Sequence, residues 1–231
     1  MPGSLSSDRR EIVTCEICPR LREFCQRVGR DKRKAFRDET YWARPVPGFG
    51  DPAARIVLVG LAPAAHGANR TGRGFTGDGD GGSGDFLMAA LFANGLANQP
   101  FSRSIDDGLE LRDAWIAAAV RCAPPDNKPT PEEITNCHRH LRAEVAALPR
   151  ARVYVALGHL AFESCWRLLS DRGVRSRPRP SFAHGAVYRT TAGTVVASYH
   201  PSRQNTHTGR LTPAMLRSVF RKARTAAERP I

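Results

Sequence analysis

No stretch of this chain approaches the roughly 18 consecutive apolar residues that a membrane-crossing helix needs, which excludes a transmembrane segment. The first ten residues, Met1 to Arg10, are polar and lack the apolar core of an export signal, so secretion is not expected. No GxxxxGK[ST] run occurs, which removes a P-loop nucleotide site, and no internal repeat is visible. Acidic side chains are the scarce charge: 22 Asp and Glu stand against 35 Lys and Arg, a net +13. Such an excess concentrates polyanions at the surface, and arginine recurs along the whole chain, so a nucleic-acid partner is expected. With 231 residues there is enough chain for one sizeable core. The expected organisation is a single domain over residues 1–231, with residues 1–50 as an N-terminal arm.

Strand and helix patterns alternate. Ile56 to Val59 is a short β-branched run closed by Gly60, the pattern of a buried strand, and Trp115 to Val120 and Val153 to Leu157 repeat it. Helices are expected from Cys18 through Arg37, over Asp85–Ala97 and Ala161–Leu169, and from Pro213 to about Ala227. Another, over Pro131–Leu148, opens on Thr130 as N-cap with Pro131, Glu132 and Glu133 in its first turn. Val187 to Thr190 and Val195 to Ser198 read as a hairpin around Ala192-Gly193, and Tyr41 to Asp51 as a connecting loop. This alternation predicts an α/β fold, a three-layer α/β/α sandwich around a mostly parallel sheet. Ligands of such sheets sit beyond the carboxyl ends of the strands.

Cys15 and Cys18 form a C-x2-C pair, and Cys122 and Cys137 a second pair with 14 residues between them. Two sulfurs at the short spacing can serve one metal centre, which the distant pair would close on folding. Four thiolates suit zinc or an iron–sulfur cluster, and spacing alone does not choose between them.

The segment from Gly60 to Gly84 is glycine-rich. Its GxGxxG match, Gly72 to Gly77, lies a dozen residues past the strand and is no dinucleotide fingerprint. The acids Asp78, Asp80 and Asp85 do not meet the spacing of a calcium loop. The segment offers small residues that let a flat base approach the backbone, an aromatic ring at Phe75 to stack on it, His66, Arg70 and Arg73, and a carboxylate at Asp78. A second polar loop, Tyr199 to Arg210, places His200 just past a strand end, and a third joins Cys122 to Asn127.

Together these segments resemble the uracil-DNA glycosylase superfamily, most closely its iron–sulfur-containing family 5, the type B enzymes. GLAPAAHGANRTGR-x-FTGD at Gly60 to Asp78 looks like that family's first motif, and YHPSRQNT-x-TGRLT at Tyr199 to Thr212 like its last. The resemblance implies a [4Fe–4S] cluster on Cys15, Cys18, Cys122 and Cys137. It implies a monofunctional, cytoplasmic, nucleoid-associated prokaryotic enzyme, expected as a monomer, acting on DNA that contains uracil or other deaminated bases.

Roles carry over by position. Phe75 matches the ring that stacks on the extruded base, and His200 the histidine that hydrogen-bonds the uracil oxygen as negative charge develops there. Asp78 matches the carboxylate of the chemistry, and Asn127 lies in the P-P-x-N-K-P-T segment. Gly60, Ala62, His66 and Asn69 are expected at the base, with Ala64 and Ala65 completing the pocket wall. Arg70, Arg73, Ser202, Arg203, Gln204 and Asn205 are expected on the DNA. Leu61 and Ala62 stand where many relatives carry Asp or Asn, and Ala118 where others read uracil with Asn, so looser base selection is expected. A non-catalytic zinc-dependent nucleic-acid-binding module would instead be colourless and give no abasic product, and a redox protein would show a reversible low-potential couple and no basic surface along DNA.

Overall fold

The computed structural model describes residues 4–77, 79 and 81–229. It opens with α1 (Leu5–Val13), which the polar N-terminus had not announced; the Ser4 hydroxyl caps it by accepting from the Ser7 amide. Next comes α2 (Pro19–Asp31). This helix stops six residues short of its expected end because Lys32 turns to φ 46°, and a 3-10 turn over Lys34–Phe36 follows. The expected loop between Tyr41 and Asp51 contains a two-residue strand, β1 (Phe49–Gly50).

Then follow β2 (Ile56–Gly60), the short α3 (Ala68–Thr71), α4 (Ser83–Phe92) and β3 (Ala114–Ala118). The chain continues through α5 (Pro131–Ala146), β4 (Val153–Leu157), α6 (His159–Asp171), β5 (Val187–Thr190) and β6 (Gly193–Ser198). It closes with α7 (Arg203–His207) and α8 (Pro213–Glu228). The start of α5 forms as its sequence specifies: Thr130 accepts from the Glu133 amide while the Glu133 carboxylate reaches back to the Thr130 amide.

One six-stranded sheet has the order β1-β3-β2-β4-β6-β5. Its four inner strands are parallel, and β1 and β5 cap the edges antiparallel. Side chains alternate between the two faces, as the pleat requires. Ile56, Leu58, Ile116, Val153, Val155 and Val196 join one core with Leu87 and Leu91 of α4 and Leu216 and Phe220 of α8. Val57, Val59, Trp115, Tyr154, Ala156 and Val195 face the other way, onto Leu141 of α5 and Phe162 and Leu169 of α6. With helices on both faces, the three-layer expectation holds. After β2 the chain steps outward to β3 and then crosses back to β4, so the loops at the carboxyl ends part there and leave a crevice.

A buried ion pair holds one wall of that crevice. Arg121 donates to Glu144 Oε2 at 2.7 Å, both side chains being almost wholly enclosed, and Glu144 Oε1 accepts from the Gly48 amide at 2.8 Å. Removing one partner strands the other charge without water. Glu144→Ala is therefore expected to cost about 3–5 kcal/mol of folding free energy, read by denaturant unfolding; a loss under 1 kcal/mol would contradict a buried, paired Arg121.

Candidate active site

The crevice is a cleft of about 600 Å³, within the range of small-molecule sites. Gly60, Leu61, Ala62 and Ala64 from the end of β2 line it, with Ala117 and Ala118 of β3. Phe75 and His200 complete its centre. Their rings face each other with centroids 5.8 Å apart and planes at 29°, although 125 positions separate them in the chain.

Local constraints place each ring. Phe75 has φ 52°, an unusual conformation for a bulky residue, and it lies between two glycines. A Cβ on Gly60 would stand 3.1 Å from the Phe75 ring, and one on Gly84 would stand 2.3 Å from the Phe75 carbonyl oxygen. Gly84 tolerates no side chain while Phe75 keeps its backbone, and a Cβ at Gly60 would press on the ring and require it to give by a few tenths of an ångström. His200 follows β6 directly. The Asn205 side-chain Nδ2 donates to the His200 carbonyl at 2.8 Å, and the Tyr199 backbone amide donates to His184 Nδ1 at 3.0 Å. Burial lowers the His200 pKa to about 4, so the imidazole is neutral near pH 7 and offers one N–H donor and one acceptor.

Asn127 also lines the cleft, held at φ 57° in the 3-10 turn Pro125–Asn127. Ser202, Arg203 and Gln204 line it from the start of α7. Asp78 lies outside the described residues. Of the remaining expected residues, several do not reach the cleft. Asn69 is buried and donates to the carbonyls of Cys25 and Ala65 at 3.3 and 3.4 Å. His66 pairs through Nδ1 with the Tyr41 hydroxyl at 3.0 Å; burial, with Arg33 and Arg70 nearby, lowers its pKa. Ala65 packs beside the cysteines instead, and Asn205 acts through the His200 carbonyl.

Arg70 and Arg73 are corrections of a different kind. Expected on DNA, both turn inward. Arg70 donates to the carbonyls of His66 and Gly77 at 2.9 and 2.6 Å, pairs with Glu39 and lies over the Phe36 ring at 4.0 Å. Arg73 donates to Thr76 Oγ1, to Ser102 Oγ and to both Asp107 oxygens at 2.7 and 2.8 Å. Burial would raise the Asp107 pKa, but the Arg73 guanidinium and two backbone amides hold it below the usual carboxylate value. These guanidinium groups brace the loop that carries Phe75. Loop position and charge alone did not reveal which way they point.

Three charged lining residues were not expected at the site individually: Arg33, Arg121 and Asp126. Arg121 precedes a cysteine of the paired motif, and Asp126 precedes Asn127, so proximity to known motifs was the only available cue. Arg33 had none.

The four expected cysteine ligands come together around one small cavity of about 20 Å³, between the N-terminal arm, the end of β3 and α5. Cys122 and Cys137 are buried, and Cys15 and Cys18 are half-exposed. The Arg121 amide donates to Cys137 Sγ at 3.2 Å, and Asn136 and Arg139 place N–H groups 3.8 Å from Cys18 and Cys15 Sγ. Among the described residues, no group of three or more His, Cys, Asp or Glu is gathered as the ligand set of a metal ion.

The Uracil DNA glycosylase superfamily model matches residues 47–224. A type-5 uracil-DNA glycosylase of Thermus thermophilus is 53% identical over 217 residues, covering 94% of this chain and 95% of that one. A type-5 enzyme of Mycobacterium leprae is 48% identical over 227 residues, covering 97% and 96%. A type-4 uracil-DNA glycosylase of Archaeoglobus fulgidus is 31% identical over 163 residues, covering 68% and 70%. With this sheet, this cleft and these likenesses over nearly its full length, the chain belongs to the uracil-DNA glycosylase superfamily, in its type-5 branch.

Proposed function

We propose that this protein is a monofunctional DNA glycosylase that hydrolyses the N-glycosidic bond of uracil, and of other deaminated bases, in DNA. The observation that carries the reading is the facing pair of Phe75 and His200 across a cleft floored by Gly60. Extruding the target nucleotide costs a few kcal/mol, least where deamination has left a mismatch. Phe75 offers a ring face to the extruded base. The neutral His200 donates to the base oxygen as the departing base becomes anionic, the geometry of an oxyanion hole. A cationic histidine is not needed, since a preorganised neutral donor stabilises developing charge without being solvated first. Asn127 and the Asp78 carboxylate are the groups assigned to the attacking water. The small, apolar Ala62, Ala64 and Ala118 make no hydrogen bonds that would reject a base other than uracil. Ser202, Arg203 and Gln204 meet the strand beside the extruded nucleotide.

We assign a [4Fe–4S] cluster to Cys15, Cys18, Cys122 and Cys137. Four thiolates around one closed cavity, with N–H donors aimed at three of the sulfurs, support this. A cube of iron and sulfide also accepts sulfurs set further apart than a single zinc ion does. Bound there, the cluster would tie the arm to the loop after β3 and to the middle of α5, and no step of the reaction passes through it.

A uracil-containing oligonucleotide should acquire alkali-labile abasic sites on incubation with the protein, and an undamaged control should not. His200→Ala is expected to lower the single-turnover excision rate by about 10²–10³-fold with DNA affinity retained; an unchanged rate would remove His200 from the chemistry.

The pH dependence follows from the same burial. Because the His200 pKa is about 4, the neutral donor persists well below the ordinary histidine value of 6.5. Single-turnover rates should therefore show no inflection between pH 8 and about 5, and should fall only as pH approaches 4. A midpoint near 6.5 that disappears in His200→Ala would contradict the buried, neutral assignment.

The protein purified without oxygen should be brown and carry iron and acid-labile sulfide, both lost with Cys137→Ser. Colourless protein holding zinc would overturn the cluster assignment.

A further inference from the structure

Three arginines line the cleft: Arg33, Arg121 and Arg203. Arg121 is spent on Glu144 inside the protein. Arg33 differs from both Arg121 and the inward-turned Arg70 and Arg73. It is solvent-exposed, and its guanidinium makes no hydrogen bond or ion pair with any described residue. It comes from the N-terminal arm, as do Val46 and Pro47 of the cleft wall, and is the arm's charged residue among those that line the cleft.

The arm is built to hold it there. The residue before it, Lys32, ends α2 at φ 46°, ψ 163°, a left-handed conformation costly for a lysine. On the other side, the Phe36 amide donates to the Arg33 carbonyl at 2.8 Å, and the Phe36 ring lies under the guanidinium of the buried Arg70. Upstream, Cys25 of α2 is fully buried, and its carbonyl accepts from Asn69. Arg22 donates to the Ala43 carbonyl at 3.1 Å. A strained turn clamped at both ends, presenting one unpaired cation to a cleft, is the arrangement expected of an anion contact.

We infer that Arg33 is a DNA-phosphate-binding residue, contacting a backbone phosphodiester next to the extruded nucleotide, so that the N-terminal arm supplies part of the DNA site. This rests on the glycosylase reading above and names a contact that reading does not contain. The monoanionic phosphodiester fits because the guanidinium stands at a cleft whose base-facing walls are small and apolar. Either backbone neighbour of the extruded base brings such a charge to the cleft mouth.

The test is binding of uracil-containing duplexes by the intact protein, with salt titrations and a scan of neutral methylphosphonate linkages flanking the uracil. Arg33→Gln should make the log–log salt dependence shallower by about 0.9, one phosphate contact. Arg30→Gln, an exposed change on α2 away from the cleft, should leave slope and excision as in the parent. One methylphosphonate position should weaken the parent protein and have no further effect on Arg33→Gln, and Arg33→Lys should restore most of the slope. An unchanged slope in Arg33→Gln would overturn the inference. So would methylphosphonate losses equal in parent and variant, or a change confined to which base is preferred. If the parent protein excises no uracil at all, the functional reading fails instead.

Discussion

The contact between the Phe75 ring and Gly60 governs the cleft. A ring held at positive φ, wedged over one glycine and packed by its carbonyl against another, has almost no freedom to move. The first turn of α4 must therefore be glycine at Gly84, and a larger residue at the end of β2 would crowd the ring. The loop between them must be drawn tight from within, which is the work of Arg70 and Arg73. Arginines that look like a DNA-facing patch are instead internal struts: Arg70 donates to the loop's own His66 and Gly77 carbonyls, and Arg73 ties the loop to Asp107 and the Ile105 carbonyl. Their burial is the condition on which Phe75 faces His200.

This division of labour changes how the net charge of +13 reads. Not every arginine counts toward it: Arg55 on Asp113, Arg73 on Asp107 and Arg121 on Glu144 are each held within hydrogen-bond distance of an acid that cancels their charge. The charge available to DNA is the remainder, and its placement matters more than its sum. At the cleft it comes from two chain segments remote in sequence, the turn after α2 and the start of α7.

The central sheet was legible in the sequence because β-branched runs closed by glycine have few alternatives, and the capping box of α5 because its chemistry is local. Phe75 and His200 were legible because each sits in a long, specific motif, and the convergence of the four cysteines because of their paired spacing. What escaped depended on tertiary contact. The helix α1 is polar in sequence and is fixed by burying Ile12 and Asp8 against the body of the protein. The strand β1 has only two residues and exists because β3 offers an edge. The end of α2 turns on a left-handed lysine that no helix propensity foretells. The inward turn of Arg70 and Arg73 was missed for a related reason: a guanidinium in a glycine-rich loop serves a phosphate or a carbonyl equally well, and only the fold decides which is nearer.

The same tertiary logic links the cysteines to the cleft without any chemistry passing between them. Cys18 is the N-cap of α2, and the turn carrying Arg33 follows that helix's last residue. At the other end of the cavity, Arg121 gives its amide to Cys137 and its guanidinium to Glu144, which in turn holds Gly48 beside the cleft wall formed by Val46 and Pro47. A group bound by the four sulfurs would therefore brace two walls of the cleft at once, one through a helix and one through a buried ion pair. Residues 1–50 bring little apolar surface of their own to the two cores that sandwich the sheet. The arm packs instead through Ile12 and through its own small cluster around Leu21 and Cys25, and the cluster proposed on the four cysteines would add a cross-link at its start, fixing the turn that carries Arg33.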